Sequence, residues 1–446
     1  MNTIAALSTA NATSAIAMLR LSGDKAAEIA SAVFLSKSKK PLYEMKGYSA
    51  AYGDFIVDGQ IIDDGVAIVY KAPKSYTGEN MVELCCHGNI YIAGKILTEL
   101  IKKGASPASA GEFTKRAFLN GKMDLSQAEA VEELIEAEGE ASCRQALLRR
   151  EGKLGQRVDN ISDRLIDTLS SIGAWCDYPE EDEVPFITDT QIEETLSFCE
   201  KELTELTKGY FSGHMIDKGI RIAVVGSPNV GKSTLSNFLW QEDRSIVTEI
   251  AGTTRDVVEG EFSIKGVRLK LLDTAGIRET GDIVEKIGVE RSKKALSTAD
   301  LILMVLDVSR IMTDEDKELL ETIKDMPHLI VLNKSDEKIE NEHPEGIEIS
   351  ALKGEGTDAL KDEILKKLEI NLNQDTALIA SQRQFDCVNR ALASVREAQN
   401  AINAGVTFDA VSVLIDDALS PLLELTGKKV TEEVTDRIFK KFCVGK

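Results

Sequence analysis

The chain has 446 residues, more than one hydrophobic core usually supports, so two or three domains are expected, with 43% apolar residues to fill them. A formal net charge of -21 repels a phosphate backbone over the molecule as a whole, so a nucleic-acid partner must meet a local basic patch or arrive on another protein. Seven cysteines without a CxxC spacing or a neighbouring histidine set offer no zinc motif, and no stretch is apolar over a membrane-spanning length; a reduced, cytoplasmic setting without a membrane partner is expected.

In chain order, residues 1–120 mix strand-like runs such as "GVAIVY" (65–70) and "MVELCCHG" (81–88) with helical stretches and turn glycines, which predicts a small α/β domain. The opening "MNTIAALSTANATSAIAMLRLSG" is broken by Thr, Ser and Asn and lacks a basic leader. Over 121–216, "KMDLSQAEAVEELIEAEGEASCRQALLRREGKL" places apolar residues three and four apart with few breakers before Pro179 and Pro185, which predicts long helices. Over 217–371 the runs "IRIAVVG", "VRLKLLD", "ADLILMVLD" and "HLIVLNK" alternate with helical segments, the pattern of a doubly wound parallel sheet. After "NLNQDTALIAS" helical texture returns and fills 372–446. The fold class expected is multidomain: an N-terminal α/β domain, an all-α domain in two parts, and a doubly wound sheet domain inserted between those parts.

The strongest chemistry lies in the insert. "GSPNVGKS" (226–233) is G-x-x-x-x-G-K-S between a predicted strand and a predicted helix. There the backbone around Asn229, Val230, Gly231, Lys232, Ser233 and Thr234 wraps phosphates, Lys232 neutralises β/γ oxygens, and the Ser233 hydroxyl can ligate Mg²⁺. "NKSD" supplies Asn333, Lys334, Ser335 and Asp336, whose carboxylate can accept from two guanine donors and rejects adenine. "SALKGEG" adds Ser350, Ala351 and Leu352 against the base. Between them, "VTEIAGTTRD" brings Thr248, Glu249, Ile250, Ala251, Gly252, Thr253 and Thr254, with Thr254 placed to close on Mg²⁺; the bland alternative is a plain polar loop. "DTAG" contributes Asp273, Thr274, Ala275 and Gly276, the aspartate reaching the same metal through water. In this order, each after a strand, the motifs specify GTP. The residue after "DTAG" is Ile277, which cannot orient a water as a glutamine does.

These motifs, together with the terminal "DRIFKKFCVGK", resemble the family of tRNA modification GTPases called MnmE or TrmE, within the TrmE-Era-EngA-YihA-Septin-like GTPase superfamily. The resemblance covers essentially the whole chain, including "SYTGENMVELCCHGN" and "AGEFTKRAFLNGKMDLSQAEAVEELI". It implies a folate-binding-like N-terminal domain that also dimerises, a helical domain and a Ras-like G domain. It further implies a homodimer that works with the flavoprotein MnmG as a heterotetramer, building an aminomethyl or carboxymethylaminomethyl group on C5 of the wobble uridine of certain tRNAs. The one-carbon donor implied is 5-formyl- or methylene-tetrahydrofolate.

The same resemblance implies hydrolysis stimulated by K⁺, held by Asn229, Thr248, Ile250 and Thr253, with Glu285 as the group that positions water; by chemistry alone Asp282 and Glu279 are alternatives. Folate contacts map to Arg20, Glu83, Lys122 and Lys446, while "STANATSAI" stands where relatives carry a proline- and glycine-rich stretch. Cys443 has two readings, a nucleophile that adds to C6 of uridine or a small residue packed at a helix end with Ile438 and Phe442. His87 is expected to pack. The rival class is a regulatory GTPase of the Era or Der kind, which would be expected to bring a basic RNA-binding module or a second G domain; neither is visible in the sequence.

Overall fold

The computed structural model describes residues 2–177, 188–242, 258–272, 296–339, 342–370 and 376–445. The chain divides into two compact units, one of Met1–Glu132, Arg149–Leu196 and Ala393–Lys446, the other of Glu133–Leu148 and Ser197–Leu392.

The first unit carries a seven-stranded sheet of β1 (Ile4–Leu7), β2 (Ile16–Ser22), β3 (Phe34–Ser36), β4 (Ser49–Val57), β5 (Gln60–Tyr70), β6 (Met81–His87) and β7 (Ser106–Pro107), in the order β3-β4-β5-β6-β2-β1-β7. All its pairings are antiparallel except β1 with β7. Asp58 and Gly59, both at positive φ, make the two-residue turn of the β4–β5 hairpin, the turn chemistry that matches strand twist. Leu19, Leu21, Phe55, Val69, Val82 and Leu84 are buried on one side, where the helix Ile90–Lys102 covers them with Ala93, Ile96 and Leu100. Asn89 caps that helix by accepting from the N–H groups of Tyr91 and Ile92.

The helical part of this unit pairs Lys153–Asp177 with Phe408–Thr426. Leu154, Val158, Ile161, Leu165 and Ile172 line one face of the first, and Val411, Ile415, Leu422 and Leu425 one face of the second. Each such buried aliphatic side chain contributes about 1.5–3 kcal/mol. The Trp175 ring meets the Phe408 ring at 5.2 Å, and Lys428 pairs with Asp159 at 2.7 Å. The long helical stretch predicted from Lys122 onward is three helices, Leu125–Glu136, Glu140–Arg150 and Lys153–Asp177, interrupted around Gly139 and Gly152.

In the second unit β8 (Ile220–Val225), β9 (Val258–Ile264), β10 (Val267–Leu272), β11 (Leu301–Asp307), β12 (His328–Asn333) and β13 (Ile347–Ile349) form a six-stranded sheet in the order β13-β12-β11-β8-β10-β9. β11 is buried at every residue, as a central parallel strand must be. The predicted parallel sheet needs one correction: β9 runs antiparallel to β10 at the edge, joined by a turn at Lys265 and Gly266. Residues 133–148 belong here. The Ala141 N–H donates to the Gly266 carbonyl at 3.0 Å, while Gln145 donates to the Thr376 carbonyl at 3.2 Å and accepts from the Leu378 N–H at 3.0 Å. β8 lies between β11 and β10, where the winding of the sheet changes direction, and the loop after it opens at the crevice where ligands of such sheets bind.

Candidate functional site

The loop Gly226–Gly231 leaves the carboxyl end of β8 and enters the helix Lys232–Glu242. Gly226 has φ +152° and a Cβ there would run into the Val305 carbonyl; Gly231 has φ +98° and a Cβ would strike the Asn333 amide. Both positions therefore exclude a side chain, which lets backbone N–H groups line the cradle at a helix N-terminus, an arrangement that receives anions. Asn229 is exposed at φ +65°, a conformation asparagine tolerates better than most residues. Lys232 donates to the carbonyls of Gly226 at 2.7 Å and Ser227 at 2.8 Å. Burial lowers its pKa, and the carboxylates of Glu315 and Asp316 pull the other way. Ser233 and Thr234 are exposed in the first helical turn, so the Ser233 hydroxyl is available to a cation bound with phosphates.

The base motif starts where β12 ends. Asn333, 2% exposed, donates through Nδ2 to the Val230 carbonyl at 2.8 Å and accepts through Oδ1 from the Ala351 N–H at 3.0 Å. One side chain thus joins the phosphate loop, the base motif and the "SALKGEG" loop. Lys334 at φ +63° turns back to Asp307 at 2.5 Å. Hydrogen bonding from Ser350, with Lys353 beside it at 3.2 Å, holds the Asp336 carboxyl below its usual range and keeps it an acceptor. Ser335 follows Lys334 in a short 3-10 turn, and Leu352 is 82% exposed beside the buried Ala351.

Four residues were not anticipated. Asp307 ends β11 and accepts from the Ser309 N–H at 2.9 Å, the Ser309 hydroxyl at 2.6 Å and Lys334. Burial raises its pKa, but the bonds from Lys334 and Ser309 outweigh that and leave it lowered. Asp316 accepts from the Ser227 hydroxyl in the phosphate loop, and Arg310 stands 3.1 Å from Asp316 and 3.8 Å from Asp307. The one signal in the sequence is "TDED" (313–316), a helix-start pattern that does not reveal where Asp316 points.

In the first unit, register places Arg20 on β2 opposite Glu83 on β6. Arg20 donates through Nε at 3.0 Å and Nη2 at 2.7 Å to one oxygen of Glu83, and the Tyr70 hydroxyl donates to the other at 2.9 Å. Burial, then the bond to Glu83, pushes the Tyr70 hydroxyl up to about 12. The Arg20 guanidinium lies over the rings of Tyr76 at 5.5 Å and Phe113 at 5.7 Å. Lys122 donates to the Pro73 carbonyl at 3.2 Å. Cys443 is exposed; its carbonyl accepts from the Gly111 N–H at 3.3 Å, while Phe442 fills the cluster with Leu125 and Phe439. His87 does not pack as expected: it is exposed, 2.7 Å from Asp63.

Thr248 to Thr254, Asp273 to Gly276, Ile277, Glu279, Asp282, Glu285 and Lys446 lie outside the described residues.

Residues 3–122 match the family described as the GTP-binding protein TrmE N-terminus, and residues 125–443 match the MnmE helical domain. The protein named tRNA modification GTPase MnmE from Clostridioides difficile (strain 630) is 41% identical over 457 residues, covering 100% of this chain and 99% of its own length. Its namesake from Thermotoga maritima is 41% identical over 459 residues, covering 100% of both chains. Among solved structures, Era from Aquifex aeolicus bound to GDP.AlF4- is 34% identical, covers 39% of this chain and 66% of its own, and has a TM-score of 0.28.

Proposed function

Because the chain belongs to the MnmE family of tRNA modification GTPases, we propose that it is a K⁺-stimulated GTPase that modifies the wobble uridine of certain tRNAs. GTP hydrolysis in tRNA modification is the family's activity. The finer reading is that a homodimer, joined to the flavoprotein MnmG, forms the 5-carboxymethylaminomethyl or aminomethyl group with a tetrahydrofolate one-carbon donor. The division into residues 1–120, 121–216, 217–371 and 372–446 belongs to the same proposal.

Backbone N–H groups from Asn229 to Thr234 bind the phosphates, and Lys232 exchanges the loop carbonyls for β/γ oxygens. Asp336 accepts from the ring N–H and the exocyclic amine of guanine. Mg²⁺, held by Ser233 and Thr254, and K⁺, held by Asn229, Thr248, Ile250 and Thr253, would supply positive charge to the transferring phosphoryl group. Glu285 orients the water that Ile277 cannot. In the first unit Arg20 and Glu83 are hydrogen-bonded together and so serve the same end of a folate, the pterin, leaving Lys122 and Lys446 for the glutamate tail. Cys443, exposed, is the nucleophile toward C6 of uridine.

The observation that carries the GTPase reading is Asn333, whose two hydrogen bonds hold a phosphate loop and a base loop at one spacing. The test is multiple-turnover GTP hydrolysis by the purified chain, with nucleoside analysis of tRNA from cells lacking its gene. Loss of a C5-substituted wobble uridine, restored by the wild-type gene and not by Lys232→Ala, supports the proposal. Unaltered tRNA overturns it.

A further inference from the structure

The loop that holds the phosphates is itself held from behind. Ser227, 2% exposed, follows the first glycine of the loop; its carbonyl accepts from Lys232 at 2.8 Å and its hydroxyl donates to Oδ1 of Asp316. Asp316 stands in the first turn of the helix Asp314–Ile323 and is also 2% exposed. Its other oxygen, Oδ2, accepts from the Thr313 N–H at 2.9 Å and the Thr313 hydroxyl at 2.8 Å, and lies 3.1 Å from Arg310.

The division of labour between the two oxygens is informative. Oδ2 alone completes the helix cap and meets the guanidinium, so the helix does not need the bond from Oδ1 to Ser227. A carboxylate also repels a polyanion, and burying one whose field reaches Lys232 works against nucleotide binding unless it returns something. What it returns is a fixed position for Ser227. With its carbonyl held by Lys232 and its hydroxyl by Asp316, the residue at the root of the loop cannot turn about the chain. The N–H groups that follow it are then aimed before any ligand arrives, so binding does not have to order them.

We propose that Asp316 is a positioning residue for nucleotide, acting through the Ser227 hydroxyl to preset the phosphate loop. The proposal rests on the GTPase reading and adds to it residues that do not touch the ligand.

Ser227→Ala removes the bond to the loop and leaves the helix cap and the Arg310 pair in place. The loop meets phosphates that GDP and GTP share, in the ground state and the transition state alike, so what is lost is uniform binding. KM for GTP and Kd for GDP should both rise about 5–20-fold while kcat stays within about twofold. The unfolding temperature should fall by about 2–10 °C, because Oδ1 of the buried Asp316 loses its partner at a cost of about 1–3 kcal/mol. Asp316→Ala also breaks the cap, so it serves as a background: there, Ser227→Ala should add no further loss of affinity. Wild-type KM and Kd in Ser227→Ala, or an equal cost in both backgrounds, overturns the proposal, as does a fall in kcat matching a fall in unfolding temperature. Wild-type protein that binds neither GDP nor GTP sinks the GTPase reading instead, before any variant is compared.

Discussion

Asn333 donates its side-chain amide to the carbonyl of Val230 at 2.8 Å across 103 residues of sequence. With Oδ1 on the Ala351 N–H, that buried side chain sets the distance between what grips phosphate and what grips the base. Asn333→Ala leaves a carbonyl and an N–H buried without partners, each costing about 1–3 kcal/mol. Stability should fall by about 2–5 kcal/mol and guanine nucleotides should bind more weakly. Chemical denaturation and nucleotide titration measure the two effects; a wild-type midpoint with wild-type affinity refutes the assignment.

The cation reading predicts that Na⁺ in place of K⁺ slows hydrolysis sharply and leaves GDP binding nearly intact, because the smaller ion cannot span the same oxygens. Asn229 sits at φ +65°, so Asn229→Ala strains the backbone while removing the amide, and Asn229→Gly removes the amide without strain. Both variants should lose the difference between the two salts. Equal wild-type rates in K⁺ and Na⁺ would remove potassium from the mechanism.

Asp336→Asn turns an acceptor-only group into one that also donates, opposing a donor to the donors of guanine. GTP affinity should fall at least about a hundredfold and use of xanthosine nucleotides should rise. Unchanged guanine preference means that the base is read elsewhere.

Glu285→Ala should leave nucleotide binding intact and lower turnover about 10²–10³-fold, the scale of a lost water-positioning group. Ile277→Gln should not restore it. Normal turnover in Glu285→Ala sends the assignment to Asp282 or Glu279, to be tested by the same measurement.

The phosphate cradle was readable in the sequence because Gly226 and Gly231 report positions where the backbone needs an empty side, and a sequence shows glycines directly. β5, β6, β8 and β10 to β12 showed themselves as apolar runs. β9 did not, since "VEGEFSI" interleaves charge with apolar residues as an edge strand does, and its antiparallel sense depends on the turn at Lys265 and Gly266. Arg20 and Glu83 were both named, but their direct pairing comes from the β2–β6 register, which neither strand specifies alone. Asp316 meets Ser227 across 89 residues, a proximity set by the sheet and not by any local pattern. Cys443 lies beyond the helix Glu432–Phe439, and it is Phe442 that turns inward.

The pairing of Lys153–Asp177 with Phe408–Thr426 has a consequence for biosynthesis. On a ribosome the first helix emerges long before its partner is translated, while the second unit can close as soon as residue 392 is out. At roughly 5–20 residues per second, the face of Leu154, Val158, Ile161 and Leu165 waits on the order of 10–50 s for its cover. For that interval the nascent chain displays an apolar stripe of the kind that holdase chaperones bind, and a slow codon run between the two helices would lengthen the exposure without changing the finished protein.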